Sequence, residues 1–223
     1  MKFSIIIPTL NEKHLIGSTI EACLKAGAGE IIVSDGGSTD GTLEIAQRLG
    51  CLIVEGNRGR GTQLRAGAEE AAGELLLFVH ADSQLDASCL KQLQDYRESQ
   101  SNRNCWGCFR QEIRQQGFLF RWLETGNAWR AAKRGYVYGD QAMWITQDLY
   151  ESIGGFSNAP LMEDVIISER LRKIGSPVVL PGPVSIPGRH WEKRGVVRTT
   201  IRNWLLFQKY KMGVDPENIA RKY

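Results

Sequence analysis

The sequence predicts an α/β fold, a single Rossmann-like, mostly parallel sheet flanked by helices. Three observations carry this. Short apolar runs rich in Ile, Val and Leu alternate with longer segments whose apolar residues recur at helical spacing. The runs are continuous, as in strands buried on both faces of a parallel sheet. Glycines and capping residues punctuate the changes of periodicity.

Ser4-Ile5-Ile6-Ile7 forms the first strand, closed by Pro8. Asn11 is placed to cap a helix in which Leu15, Ile16, Ile20, Cys23 and Leu24 share a face, ending near Gly27. Glu30–Ser34 is the second strand, and Thr39 or Asp40 caps a helix running through Leu49 to Gly50. Cys51–Val54 is the third strand, Gly61–Ala72 the third helix and Leu75–Val79 the fourth strand. This βαβαβαβ order requires right-handed crossovers and hence parallel strands.

Beyond His80-Ala81-Asp82 the pattern loosens. The residues predict helices over 87–97, 118–134, 148–153 and 163–174, and strands at Trp106–Ile113, Met143–Thr146, Val178–Leu180 and Val184–Ile186. An amphipathic helix over 196–212 closes the chain. With no repeat and no Pro/Ser/Gly linker, residues 1–223 read as one domain. Residues 1–85 carry the regular alternation and 86–223 the looser pattern with the C-terminal helix.

The composition excludes several classes. With 223 residues, 42% hydrophobic and 24% charged, the chain is too apolar for disorder. No apolar run reaches the roughly 18–20 residues of a bilayer span. The opening MKFSIIIPTLNE lacks the apolar core of a signal peptide, so a cytoplasmic protein is expected, with the inner membrane face as its one alternative station. Five scattered cysteines suit a reducing compartment, and Cys105-x-x-Cys108 lacks the second pair of a zinc site. No P-loop, no G-x-S-x-G elbow and no complete G-x-G-x-x-G occurs, since Leu64 stands where the third glycine of Gly59-Arg60-Gly61 would fall.

Ligands of open parallel sheets bind at the carboxyl ends of the strands. There the sequence places Pro8 and Glu12 after strand one, Asp35 after strand two, and His80 and Asp82 after strand four. Glu12, Asp35 and Asp82 therefore converge on one rim. Arg58, Arg60 and Arg65 follow strand three, where an arginine fork suits phosphate oxygens, and Arg60 is the preferred candidate. Glu163 and Asp164 open a helix, where the dipole favours their ionised form. A helix N-terminus explains that pair without any chemistry.

The blocks IIIPTLNE, VSDGGSTDGT, GELLLFVHADS and GGF followed by PLMEDVIISERL, in this order over residues 3–175, resemble the family-two glycosyltransferases of GT-A fold. The variant HAD, with GRGTQLRAGA, GDQ and the late RHW, is most similar to a bacterial subgroup named for arsenosugar biosynthesis, a label that identifies no substrate. The resemblance implies an inverting, metal-dependent hexosyltransferase that uses a nucleoside-diphosphate sugar, UDP-linked by preference, with residues 1–85 as the nucleotide-sugar-binding half and 86–223 as the acceptor half. Pro8 and Glu12 would line the nucleotide pocket and Asp35 would accept hydrogen bonds from the nucleobase or ribose. Asp82 matches the last Asp of the family's D-x-D and would hold Mg²⁺ or Mn²⁺ against the diphosphate. Asp164, with Glu163, matches the acidic pair that supplies the general base.

One departure stands out: His80 replaces the first Asp of D-x-D. As neutral imidazole it could ligate the metal, it could donate to ribose, or it could be a packed, hydrogen-bonded histidine. His190, between Arg189 and Trp191, is a further candidate metal ligand or diphosphate contact, or else a surface residue; His14 reads as exposed. Gly139-Asp140-Gln141 could touch donor or acceptor, or form a turn. Trp122, Trp129, Tyr136, Tyr138 and Trp191 could form an acceptor platform, though Trp122 and Trp129 at helical spacing read as core.

The last 35 residues carry nine Lys/Arg against three Asp/Glu. That basic helix could lie on an anionic membrane beside a lipid-linked acceptor, or dock on the enzyme body or a second copy in a homodimer. A small-molecule acceptor is equally open, and no nucleic-acid partner is expected. Two other classes compete: a nucleotide-sugar or lipid-binding module without activity, and a sugar-phosphate nucleotidyltransferase. The second lacks its glycine-rich basic N-terminal loop here.

Overall fold

The computed structural model describes residues 2–100 and 104–220, with the backbone alone for His190 and Lys193. The first half alternates β1 (Phe3–Thr9), α1 (Ile16–Lys25), β2 (Glu30–Asp35), α2 (Thr42–Arg48), β3 (Leu52–Glu55), α3 (Arg60–Glu69) and β4 (Leu75–Phe78). There follow β5 (Gln84–Leu85), α4 (Cys89–Ser99), β6 (Trp106–Ile113), α5 (Phe118–Arg134), a single 3₁₀ turn at Gly139–Gln141, β7 (Trp144–Thr146) and α6 (Gln147–Ser152). The chain closes with α7 (Glu163–Leu171), β8 (Val178–Ile186), α8 (Arg189–Arg194), α9 (Val196–Lys211) and α10 (Pro216–Ala220).

The strands form one sheet of order β3-β2-β1-β4-β7-β6-β8-β5. β3, β2, β1 and β4 are mutually parallel, while β7 runs antiparallel to both its neighbours and β8 runs parallel to β6. The continuous apolar runs are explained by cores on both faces. Ile5 and Ile7 of β1 and Leu75 and Leu77 of β4 pack on one side with α1 and α4; Ile6, Leu76 and Phe78 pack on the other with α3 and α7. Gly107 marks the tightest point: a Cβ there would lie 2.0 Å from the Val178 carbonyl oxygen and 2.6 Å from the Trp144 ring.

Several expectations are corrected. Pro8 does not close the first strand, which runs to Thr9 with Pro8 paired to Ser34. Ile6 turns its carbonyl to β4, accepting from Val79, so Pro8, two residues on, turns its missing N–H the same way, past the end of β4. The two short strands around Pro181-Gly182-Pro183 are one strand, β8, with a register shift opposite Phe109 and Gln111. Asn11 does not cap α1; it sits in the left-handed region at φ 57° and binds the neighbouring loop instead. Trp122 and Trp129 are not core: they are 61% and 53% exposed on α5. The sequence pattern gave no sign of β5, α8 or α10. Among the described residues no helix is long and apolar enough to cross a membrane.

Candidate functional site

The site forms where β1, β2 and β4 end together. The loops after β1 and β2 are joined by hydrogen bonds: Asn11 N–H donates to the Ser38 hydroxyl at 2.8 Å, Thr39 N–H to Asn11 Oδ1 at 2.9 Å, and Glu12 N–H to the Thr42 hydroxyl at 2.9 Å. From α3, buried Gln63 donates through Nε2 to the carbonyls of Thr9 at 2.6 Å and Ser34 at 3.0 Å. One side chain thereby ties the ends of β1 and β2. Gly36 packs close beside it: a Cβ there would press on the Gln63 amide at 3.1 Å.

A cleft of about 470 Å³ opens above these ends, lined by Pro8, Glu12, Arg60, His80, Asp82 and Glu163 among others. A second cavity of about 280 Å³ shares Arg60, His80 and Asp82 with it and adds Asp164, Asp140 and Tyr138. Of the acidic candidates, Asp35 alone is outside both linings, and of the arginines Arg65 is, paired instead with Glu69 on α3. Asp35 is 1% exposed and spent on its own loop. Oδ1 accepts from the Thr9 hydroxyl at 3.0 Å and from the Ser38 hydroxyl; Oδ2 accepts from Gly37 N–H at 2.8 Å and Ser38 N–H at 2.6 Å. Burial opposes ionisation, but these donors outweigh it and hold the carboxyl below its usual range. A carboxylate offers about four acceptor positions, and four donors occupy them. The expected bond from Asp35 to a nucleoside therefore gives way to a loop-holding role in this state.

Asp82 contrasts with it. It is partly exposed, and the Ser83 hydroxyl at 3.5 Å is the one hydrogen bond to its carboxylate among the described residues. Burial, and then the negative charge of Asp82, push the Glu12 carboxyl up. Two carboxylates that repel across a cleft, one nearly bare, are oxygen donors suited to a hard divalent cation. No group of three His, Cys, Asp or Glu able to hold a metal occurs among the described residues. A cation at Asp82 would complete its shell with phosphate oxygens and water, as Mg²⁺ and Mn²⁺ do.

His80 is packed under the 3₁₀ turn. A Cβ on Gly139 would lie 2.4 Å from Nε2, which is buried without a hydrogen-bond partner among the described residues. Burial, helped by the Arg60 charge, drives its pKa down to about 3, so the ring is neutral. Its Nε2 is roofed by Gly139 and closed to a metal or ribose; the ring lines the cleft instead. The histidine is packed, as one reading expected, yet lacks the hydrogen bond at Nε2. The side chain of His190 lies outside the described residues.

Arg60 opens α3, and its Nη1 lies 3.2 Å from Glu163 Oε1. The Glu163 side chain is 4% exposed and the Arg60 side chain 53%, so a buried carboxylate aims a half-exposed guanidinium across the cleft. Glu163 thus positions Arg60. Asp164 faces the smaller cavity with Oδ1 accepting from Val165 N–H at 2.7 Å and Oδ2 from Gly139 N–H at 3.1 Å. One acceptor direction is left on each oxygen. Burial raises its pKa against these donors and the nearby Arg60 and Arg130.

Sequence reasoning missed Gln63 and gave Asp140 no definite role. Asp140 lies between the cavity of Asp164 and a larger one of about 620 Å³ between α5 and α9. Its Oδ1 is buried and unpartnered among the described residues, and burial, partly offset by Arg130, pushes its pKa up to about 6. The GDQ string was the one available signal.

The sequence profile described as glycosyl transferase family 2 matches residues 4–162. A PGL/p-HBAD biosynthesis glycosyltransferase of Mycobacterium tuberculosis is 38% identical over 92 residues, covering 37% of this chain and 36% of that protein. The matched stretch thus spans about a third of such a curated relative. S. aureus TarS 1-349 in complex with UDP-GlcNAc superposes with a TM-score of 0.65 at 18% identity, over 84% of this chain and 58% of that one. Glucosyl-3-phosphoglycerate synthase from Mycobacterium tuberculosis, in complex with Mn²⁺, UDP and glucosyl-3-phosphoglycerate, gives 0.59 at 18% identity, over 83% and 70%. At these identities the likeness is one of fold.

Proposed function

Because the chain belongs to glycosyl transferase family 2, we propose that it transfers a hexosyl group from a UDP-sugar to a hydroxyl acceptor, with inversion at the anomeric carbon. The observation that carries the reading is that Asp82, Arg60 and Asp164 line one cavity at the carboxyl ends of the strands. The UDP-GlcNAc and Mn²⁺–UDP complexes of the two structural neighbours support the choice of donor. The narrower likeness to the subgroup named for arsenosugar biosynthesis rests on GRGTQLRAGA, GDQ and RHW and supplies no acceptor.

Pro8 and Glu12 wall the nucleoside end, and the Asp35 loop shapes its floor. Arg60, aimed by Glu163, and the N-terminus of α3 face the diphosphate. Asp82 would hold Mg²⁺ or Mn²⁺, which when bound neutralises charge on the departing diphosphate. Asp164 takes the proton of the acceptor hydroxyl as that oxygen bonds to the anomeric carbon. The bond from that carbon to the diphosphate oxygen breaks, and its electron pair leaves with UDP. A single displacement of this kind inverts the centre. A base with a raised pKa suits neutral pH, and its assistance is typically worth about 10²–10⁴-fold. The exposed Val197, Ile201, Trp204 and Leu205 of α9 support contact with a membrane surface or a second copy.

The test is calorimetric titration of UDP, with GDP and CDP for comparison, with and without Mn²⁺, followed by donor hydrolysis or transfer. Metal-dependent UDP binding that weakens in Asp82→Ala, and turnover lost in Asp164→Asn while UDP still binds, support the reading. Binding of no diphosphate under either condition overturns it. Turnover unaffected in Asp164→Asn removes the assigned base.

A further inference from the structure

We propose that the cavity between α5 and α9 is the acceptor site and that it selects an acceptor carrying an anionic group, a phosphate or carboxylate, set back from the reacting hydroxyl. This rests on the transferase reading above, because the cavity is continuous in its lining with the Asp164 pocket through Tyr138, Asp140 and Asn203. At about 620 Å³ it has room for a ring-bearing acceptor.

The two ends of the cavity differ in charge. The inner end holds Asp140 and Tyr138, with Arg130 stacked 3.5 Å over the Tyr138 ring. Arg130 is committed there: it donates to the Tyr136 carbonyl, Asn127 Oδ1 and Gln141 Oε1. A neutral hydroxyl can approach Asp164 from this side. The outer end carries Arg134, Arg172 and Lys211. Lys211 pairs with Glu169 at 2.7 Å. The guanidinium groups of Arg134 and Arg172 make no ion pair and no hydrogen bond among the described residues; they lie over the faces of Trp129 at 5.2 Å and Tyr136 at 4.8 Å. Two guanidiniums placed over aromatic rings, with their N–H groups unspent, form a receptor for a planar or tetrahedral anion. Stacking limits the rotamer freedom each would lose on binding. An acceptor without negative charge would leave this end with three cations against the single carboxylate of Glu169.

The anion could sit on a soluble metabolite or on a lipid headgroup, and the experiment separates the two. Phenyl phosphate, with phenol as its neutral counterpart, is titrated calorimetrically into the protein without nucleotide or metal. Phenyl phosphate should bind, phenol should not, and Arg134→Ala and Arg172→Ala should each weaken binding on the order of tenfold. Arg172→Lys, which keeps the charge but not the fork, should bind between the wild type and Arg172→Ala, which separates loss of charge from loss of fold. Binding should persist in Asp82→Ala, where metal-dependent UDP binding is lost, so failure here and failure of the donor site are distinguishable. In parallel, the protein is sedimented with phosphatidylcholine vesicles with and without phosphatidic acid. Enrichment on the acidic vesicles that both Arg→Ala changes abolish assigns a lipid phosphate; phenyl phosphate binding without such enrichment assigns a soluble anion. Equal affinity for phenyl phosphate and phenol, or affinity indifferent to both arginines, overturns the proposal.

Discussion

Replacing Asp140 by Asn should stabilise the protein much more at neutral pH than in acid. Asp140 is mostly buried in the 3₁₀ turn, with one carboxyl oxygen lacking a partner among the described residues. Burial pushes its pKa from 3.8 up to about 6, Arg130 offsetting part of the effect and Asp164 adding to it. Because the folded pKa is raised, the folded protein keeps a proton between these values that the unfolded chain has lost. Stability is therefore full below the unfolded value and falls as pH rises through 6. At about 1.36 kcal/mol per unit, the ionised carboxylate costs about 3 kcal/mol at pH 7.5 and about 1 kcal/mol at pH 4.5. Asn has the shape of the protonated acid and does not titrate. Asp140→Asn should gain about 3 kcal/mol at pH 7.5, roughly 6–12 °C in Tm for a chain of this size, and about 1 kcal/mol at pH 4.5. Paired thermal and urea unfolding at the two pH values measures this, other acids cancelling in the difference. Equal or lower stability at pH 7.5, or the same gain at both pH values, would refute the reasoning. Removing the charge also relieves Asp164, so the acid limb of the pH–rate profile should move to lower pH.

Arg60→Ala strands the buried Glu163 carboxylate. Because the arginine is half exposed, the loss should be only about 1–2 kcal/mol at pH 7.5, shrinking as pH falls and Glu163 protonates, with UDP affinity down about tenfold; urea titration and calorimetry read the two effects. Gly139→Ala places a Cβ 2.4 Å from His80 Nε2 and should cost roughly 1–3 kcal/mol, much of it recovered in the double variant with His80→Ala, as thermal melts would show. Gly107→Ala drives a methyl into the Val178 carbonyl and the Trp144 ring, a loss of roughly 3 kcal/mol or more seen as a weakened or absent cooperative melt. Asp35→Asn keeps the size of the side chain but removes the charge that gathers the Ser38 and Gly37 donors; UDP affinity should fall about tenfold without loss of its Mn²⁺ dependence, whereas Asp82→Asn should lose that dependence.

The parallel half of the sheet was legible because each of its inner strands feeds two cores. Ile5 and Ile7 face one and Ile6 the other, so the run must be apolar throughout. Prolines misled for a reason that is equally local. Pro8 reads as a stop, yet its missing N–H points where β4 has already ended, and Pro181 and Pro183 lie in β8 beside a register shift. The exposed Trp122 and Trp129 were misread because helical spacing shows only that residues share a face, and not what that face meets.

The same limit explains what was legible in the site. Residues at strand ends announce themselves through the strand before them, which is how Glu12, Asp35 and Asp82 came to one rim. What distinguishes Asp35 from Asp82 is the chain that follows. Gly36-Gly37-Ser38 brings two N–H groups and a hydroxyl back onto Asp35, a turn whose residue types were visible in the sequence. Ala81 and Ser83 return to Asp82 one long hydrogen bond, at 3.5 Å, so its charge is left nearly bare at the cleft. Asp140, Gln63 and the roof of His80 depend on contacts between distant segments. Gln63 ties β1 to β2 from a helix, and Gly139 closes on His80 from the turn that leads into β7. No spacing rule records such contacts. The residues of the proposed donor side are legible one loop at a time, while the proposed acceptor cavity is assembled by α5, α9 and the segments between them and becomes visible only when the chain is folded.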